Sequence, residues 1–332
     1  MAYYIGIDLG GTNIKAGVLN ESARVLSKLS VPTQAEAGPD TVIDNIVTAA
    51  QTVAKNAQIP IDEIDYVGIG APGPLDLEAG VVINAPNMPG WHNVSLRDRV
   101  AQKIGRPAVL ENDANAAALG EFWAGIGQDE SIRHLVMMTL GTGIGAGYVI
   151  DGRLVHGAKG RGAEGGHMIV MPDGRPCGCG QAGCIEAYAS ASNTARRAIE
   201  RLETGDTSSL ETITNAGNQV SSRDVFDAAK AGDDLALEIV DETAYLLAVA
   251  CVNYCRMLDP QMIVFAGGMI LAGDFLFDKI RTKFKELTWT AADDYVEIVA
   301  AQLGNDAGFI GAAAVARDRH MRDETTIAAT IS

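Results

Sequence analysis

The sequence predicts an α/β protein made of two related lobes that face each other across a central cleft. Three observations carry this. A strand, a glycine turn and a second strand open the chain at YYIGIDLGGTNIKAGVLN; the same order returns at HLVMMTLGTGIGAGYVIDGRLV; and amphipathic helical stretches separate the two. With 332 residues and 47% hydrophobic content, the chain is long enough to bury one large core or two medium ones.

Residues 1 to 31 read as an antiparallel meander, with YYIGID and NIKAGVLN joined at GGT and VLSKLSV as the third strand. Asp40 to Ala57 sets Val42, Ile43, Ile46, Val47, Ala50 and Val53 on one helical face. YVGIGAPG has the unbroken apolar run of a buried strand and must turn at Pro72 and Gly73. Beyond the second strand-turn-strand unit, Asn193 to Glu203 and Leu235 to Leu258 carry helical periodicity, MIVFAGG reads as a buried strand, and Asp306 to Arg317 reads as a helix. The polar tail after Arg317 is expected to fray. The expected division is a small N-terminal α/β lobe over 1–115, completed by the C-terminal helix near 306–320, and a large α/β lobe over 116–305.

A net charge of -16 repels nucleic-acid phosphates and anionic membrane surfaces, so neither is an expected partner. Any phosphate site must be built locally from backbone amides, a metal or a few side chains. The longest apolar stretch, Tyr245 to Val252, is far below the ~20 residues that span a bilayer. The start MAYYIGIDLGG has neither a basic region nor a cleavage site, and the protein is expected in the cytoplasm. Three of five cysteines lie within Cys177 to Cys184, and this odd, clustered set argues for a reduced compartment with a metal rather than a disulfide framework. Cys251 and Cys255, four apart in a helical pattern, read as small core residues.

The turn Asp8-Leu9-Gly10-Gly11-Thr12-Asn13 puts a carboxylate at a strand end and two glycines after it, so that backbone N–H groups stand open to an anion. Leu140-Gly141-Thr142-Gly143-Ile144-Gly145 offers the same chemistry from the other lobe. Either turn alone is what any tight hairpin shows. Together, and with Ala266-Gly267-Gly268 closing another strand, they suit the two ends of a triphosphate, although neither has the spacing of a P-loop or of a dinucleotide fingerprint. His167, Cys177, Cys179 and Cys184 form a Cys3His set in which glycines 178, 180 and 183 let a short loop wrap a small ion. Four protein ligands leave no open position, so the expected Zn2+ is structural.

DLGGTN, LGTGIGAGYVIDGRLVHGAKGRGAEGGH and CGCGQAGCIEAYAS together resemble the ROK family of repressors, open reading frames and kinases, from residue 5 to about residue 316. The resemblance implies a two-lobed actin-like (ribonuclease H-like) sugar kinase fold and a homodimer. It implies ATP with Mg2+, and a hexose phosphorylated at its 6-hydroxyl. Asn112 and Asp113 in LENDANAAALGE match the sugar-binding asparagine and the catalytic aspartate. Glu164 and His167 in EGGH, with Glu186 in CIEAY, match further sugar contacts, so that His167 would serve zinc through one nitrogen and the sugar through the other. Gly10, Gly11, Thr12 and Asn13 match one phosphate motif, Gly141, Thr142, Gly143 and Gly145 the second, and Gly267 with Gly268 the adenosine motif.

NAPNMPGW, with Asn87 and Trp91, looks like the branch of the family that acts on glucose. Fructose, mannose, the N-acetylhexosamines and a polyphosphate donor stay open. A non-catalytic sugar sensor is the reading from a different class. The family's repressors carry a helix-turn-helix before DLGGT; here that motif begins at Asp8, and no such element is expected.

Phosphoryl transfer needs an in-line hydroxyl, neutralised phosphates and a proton acceptor. Asp113 is the expected acceptor, although by itself it reads equally well as an N-cap before the Ala-rich segment 114 to 119. Asp8 is the nearest carboxylate for Mg2+, acting through water. Loss of zinc is expected to disorder Glu186 and His167 and to leave nucleotide affinity intact.

Overall fold

The computed structural model describes residues 1–85, 88–129, 131–288 and 296–331. Its contacts divide the chain into two compact units, residues 1–131, 152–163 and 302–332 in the first, 132–151 and 164–301 in the second.

The first unit opens with β1 (Tyr3–Leu9), β2 (Asn13–Asn20) and β3 (Val25–Pro32), the expected antiparallel meander. β3 alternates half-buried and exposed residues along its whole length, as an edge strand with one wet face should. Pro39 begins α1 (Pro39–Asn56), and Val42, Ile43, Ile46, Val47, Ala50 and Val53 are its buried stripe. β4 (Tyr66–Ala71) lies parallel to β1. A small antiparallel sheet of β5 (Leu75–Asp76), β6 (Val81–Asn84) and β7 (His92–Val94) follows, then α2 (Leu96–Ile104). β8 (Ala108–Asn112) pairs in parallel with β4 and runs straight into α3 (Asp113–Ala124). The main sheet is ordered β3-β2-β1-β4-β8.

The C-terminal helix, Ala307–Ile331, lies on β1, β4 and α3 at backbone contact. A Cβ on Gly68 would fall 1.7 Å from the Ala312 carbonyl oxygen, and one on Gly311 1.9 Å from that of Ala116, so only glycine fits at either place. Glu121, fully buried on α3, holds the returning chain by accepting from the N–H groups of Leu303 at 2.7 Å and Gln302 at 3.2 Å. An edge at residue 115 would cut α3 from this packing, and the unit runs on to residue 131. The helix also does not stop at Arg317. Asp318 to Arg322, Arg319 to Asp323 and His320 to Glu324 form i,i+4 pairs, and Tyr66 donates its hydroxyl to Asp323, which fixes the segment expected to fray.

The second unit is built on β9 (Leu135–Leu140), β10 (Ile144–Ile150) and the strands Met262–Ala266 and Glu297–Ala300. β10 is antiparallel to β9, which lies parallel to Met262–Ala266, itself parallel to Glu297–Ala300. This reproduces β2-β1-β4-β8 strand for strand and direction for direction, the internal repeat read from the sequence. Short α4 (Glu186–Ala189) and α5 (Ala191–Glu203) pack with the long helix Asp234–Leu258, whose buried face includes Cys251 and Cys255. Arg197, buried on α5, donates to the Tyr188 carbonyl at 2.9 Å and the Thr243 hydroxyl at 3.0 Å and pairs with Glu242, tying α4 to the long helix. Among the described residues no helix is long and apolar enough to cross a membrane.

Candidate active site

In the first unit the parallel strands place the candidate groups along one sheet edge. Asp8 stands opposite Gly70 on β4, and Gly70 opposite Glu111 on β8, so Asp8 and Glu111 lie two strand spacings apart, about 10 Å. The C-terminal ends of parallel strands are where open α/β sheets bind ligands. Beyond Leu9 the chain turns through Gly10 to Thr12, closed by the Gly10 N–H donating to the Asn13 carbonyl at 3.1 Å and the Thr33 hydroxyl donating to the Gly10 carbonyl at 2.6 Å. The exposed N–H groups of Gly11 and Thr12 have no acceptor among the described residues. Two open donors side by side are what an anion site in such a turn requires.

Asp8 is half-buried, and burial raises its carboxyl above the ordinary value, Lys15 opposing. Gly308, at the start of the C-terminal helix, packs against this carboxylate, where a Cβ would fall 2.4 Å from Oδ2. Lys15, given no role from the sequence, donates to the Asn305 carbonyl at 2.8 Å. Because Asp8 is harder to ionise in the fold, its cost to stability is absent below the ordinary aspartate pKa and complete above the raised one. Asp8→Asn is therefore expected to raise Tm at neutral pH, and, if Asp8 serves Mg2+ through water as the sequence suggests, to lower turnover about 10- to 100-fold. Thermal melts beside activity assays check this; a lowered Tm contradicts it.

At the β8 to α3 junction the cap is Asn112, not Asp113. Asn112 Oδ1 accepts from the N–H groups of Ala114 at 3.0 Å and Asn115 at 3.2 Å, which leaves its amide donors to other partners. Asp113 is the first helical residue, with Oδ1 accepting from the Ala114 N–H at 2.8 Å. The N-cap reading of Asp113 therefore passes to its neighbour. Asn87 lies outside the described residues.

In the second unit the turn Gly141 to Gly145 is closed by the Gly141 N–H donating to the Gly143 carbonyl at 3.0 Å and the Ala191 N–H to the Gly141 carbonyl at 2.8 Å. Thr142 and Gly143 are left with N–H groups that have no acceptor among the described residues, as in the first turn. Gly145 donates to the Thr139 hydroxyl at 3.1 Å. The Ile144 N–H donates at 2.8 Å to Glu186 Oε2, and a Cβ on Gly143 would meet that oxygen at 2.5 Å. Gly267, with φ at +91°, packs its Cα against the Leu140 carbonyl, and Gly268 follows in open space. Glu164 is exposed, and the next glycine pair explains its setting: Gly166 sits so close to the Ile144 carbonyl that a Cβ would fall 1.9 Å from it.

His167, Cys177, Cys179 and Cys184 converge, with one ligand atom from each lying within 4.8 Å of all the others. Cys177 Sγ is 3.7 Å from His167 Nδ1, and Cys179 Sγ is 3.7 Å from Cys184 Sγ. Ligands about 2.3 Å from a central ion stand about 3.8 Å apart in a tetrahedron, so the set fits Zn2+. Burial pushes the Cys184 thiol up to about 12 and raises that of Cys177, whereas the Gln181 N–H brings Cys179 down to about 7. Cys179 thus offers a ready thiolate at neutral pH, and the other two lose their protons to a bound cation. Nδ1 of His167 faces the sulfurs, which leaves Nε2 for another partner. Glu186 Oε1 lies 3.7 Å from Cys177 Sγ, so one carboxylate links the cysteine loop to the glycine turn.

Two buried acids escaped the sequence reading, Glu111 and Glu121. Glu111 closes the apolar run Ala108–Leu110 and Glu121 interrupts the apolar stretch of α3, and no hydrophobic pattern marks either as buried.

Residues 4–319 match the ROK family profile. The chain is 39% identical to a glucokinase of Thermotoga maritima over 315 residues, which cover 95% of this chain and 97% of that one. A ROK hexokinase from Thermus thermophilus superposes with a TM-score of 0.84 at 33% identity, over 97% of this chain and 99% of the other. A ROK family glucokinase from Streptomyces griseus, solved with glucose and AMPPNP, superposes with a TM-score of 0.77 at 35% identity, over 96% and 100%. The architecture is the actin-like α/β fold of these sugar kinases, and the chain belongs to the ROK family.

Proposed function

We propose that the protein is an ATP-dependent hexose kinase that converts glucose to glucose 6-phosphate. The observation that carries the reading is the pair of glycine turns with open N–H donors, in a chain that aligns over nearly its full length with a glucokinase. In this reading Asp113 orients the 6-hydroxyl and accepts its proton. The proton leaves late in a loose transition state, so a strong base is not needed. Asn112 offers its amide donors to the sugar, and Glu164, Glu186, Asn87 and His167 Nε2 offer the remaining contacts. Sugar hydroxyls left unpaired cost about 1 to 3 kcal/mol each, which is how such a set separates epimers.

The turns Gly10 to Asn13 and Gly141 to Gly145 take the phosphates, and Gly267 with Gly268 lies by the adenosine. Asp8 would serve Mg2+ through water, and the ion would supply neutralisation of the phosphate charge. His167, Cys177, Cys179 and Cys184 would hold Zn2+ in a structural role, since four protein ligands leave no open position for chemistry. The resemblance to the family supports a homodimer, and the odd, clustered cysteine set of the sequence supports a reducing compartment such as the cytoplasm.

A coupled assay with glucose, fructose, mannose, N-acetylmannosamine and N-acetylglucosamine, each with ATP or polyphosphate, tests the proposal. Glucose with ATP is expected to give the highest kcat/KM. A different preferred pair would replace the substrate or donor, and no turnover with any pair would turn the reading into a sugar sensor.

A further inference from the structure

The geometry points to Glu111 and His156 as positioning residues for the turn that carries Asn112 and Asp113. Glu111 ends β8 almost sealed from solvent, at 3% exposure. Its Oε1 accepts from the Asn112 N–H at 2.9 Å and from the Asn115 side-chain amide at 3.1 Å. Its Oε2 lies 2.6 Å from His156 Nε2. One carboxylate is thus fastened on one side to the backbone and first helical turn of the candidate catalytic segment, and on the other to an imidazole from the excursion 152–163. The Asn112 peptide sets where Asn112 caps α3 and where Asp113 begins it, so the orientation of Glu111 is passed to both side chains. A buried carboxylate without a counter-charge is costly, and His156 is the cation that touches this one. The inference rests on the reading of Asp113 as the base.

His156 borders a cavity of about 550 Å3. Charged groups line it from each neighbouring element: Asp318, Arg319 and Arg322 from the C-terminal helix, Lys159 and Arg161 from the excursion itself, and Asp76 with Glu78 from the β5 to β6 hairpin. Arg322 is engaged by Asp318, and Arg319 by Asp323. The hydrogen bond from Glu111 dominates and raises the imidazole above its ordinary value, with burial opposing. The pair is therefore charged at and below the ordinary histidine pKa and loses its proton as the pH rises through the raised one.

The test measures kcat, both KM values and the His156 ring titration by NMR between about pH 6 and 9, on the full chain with zinc. Wild type is expected to lose turnover on the alkaline side, above the ordinary imidazole value. His156→Gln keeps a donor for Glu111 but does not titrate. It is expected to run about 3- to 10-fold below wild type at low pH, with KM for ATP within about twofold, and to stay flat where wild type falls. Glu111→Gln is expected to bring the His156 titration below its wild-type position, and His156→Phe to lose about 100-fold in kcat. If His156→Phe fails to fold, the glutamine variants carry the test. Superimposable profiles for wild type and His156→Gln overturn the inference. Asp113→Ala, run alongside, separates the two readings. If it stays active, the base assignment falls, and the hexose KM of the His156 and Glu111 variants still reports on the turn. If it is inactive while His156→Gln matches wild type, only the present inference falls.

Discussion

Asp113→Ala is expected to lower turnover by roughly two to four orders of magnitude while leaving ATP affinity close to wild type and lowering Tm only slightly. On the proposed role of Asp113, turnover falls because the 6-hydroxyl loses both its acceptor and the group that orients it. Tm falls only slightly because Asp113 Oδ1 accepts from one N–H, that of Ala114, whereas the cap of α3 belongs to Asn112, whose Oδ1 takes the N–H groups of Ala114 and Asn115. Asn112→Ala is the informative companion, since it should lose about 1 kcal/mol of stability as an N-cap in addition to sugar affinity. Steady-state kinetics and thermal melts on the two variants together separate the roles. Turnover within a few-fold of wild type for Asp113→Ala would sink the base assignment.

Removing zinc, by chelation or through Cys179→Ser, is expected to raise the hexose KM at least 10- to 100-fold. The sequence alone suggested that nucleotide affinity would survive untouched. The structure alters that expectation, because Glu186, held beside Cys177, is also the acceptor for the Ile144 N–H in the second glycine turn. Loss of the metal is therefore expected to weaken nucleotide binding as well, by a smaller factor than hexose binding. Calorimetric titration of each ligand with and without zinc checks this. Unchanged hexose affinity in the metal-free protein would refute the link between loop and sugar site, and unchanged nucleotide affinity would refute the route through Ile144.

The two glycine turns and the cysteine loop were legible in the sequence because their chemistry is local: the donors of each turn lie within a few residues, and the cysteines close a short loop. The repeat was legible for the same reason, since β1 with β2 and β9 with β10 are each a single hairpin. What was hidden depends on partners far apart in the chain. Glu111 meets His156 across 45 positions, and Glu121 meets Leu303 across 182, and neither pairing leaves a mark on local periodicity. The sequence ends the C-terminal helix at Arg317 because its next turns, Asp318 to Thr326, are polar but for Met321. They are held by i,i+4 pairs and by Tyr66, which a hydrophobic pattern does not register.

The backbone contacts at Gly68 and Gly311 bear on how the chain is made. The surface that covers β1 and β4 is synthesised about three hundred residues after β1 itself, so the N-terminal meander emerges with one face of its sheet uncovered. The second unit has its whole sheet within residues 132 to 301 and meets no such delay. Vectorial folding in this protein is thus out of step with chain order, with the middle completed before the beginning. The glycine-lined face of the nascent sheet stays open until the C-terminal helix is made.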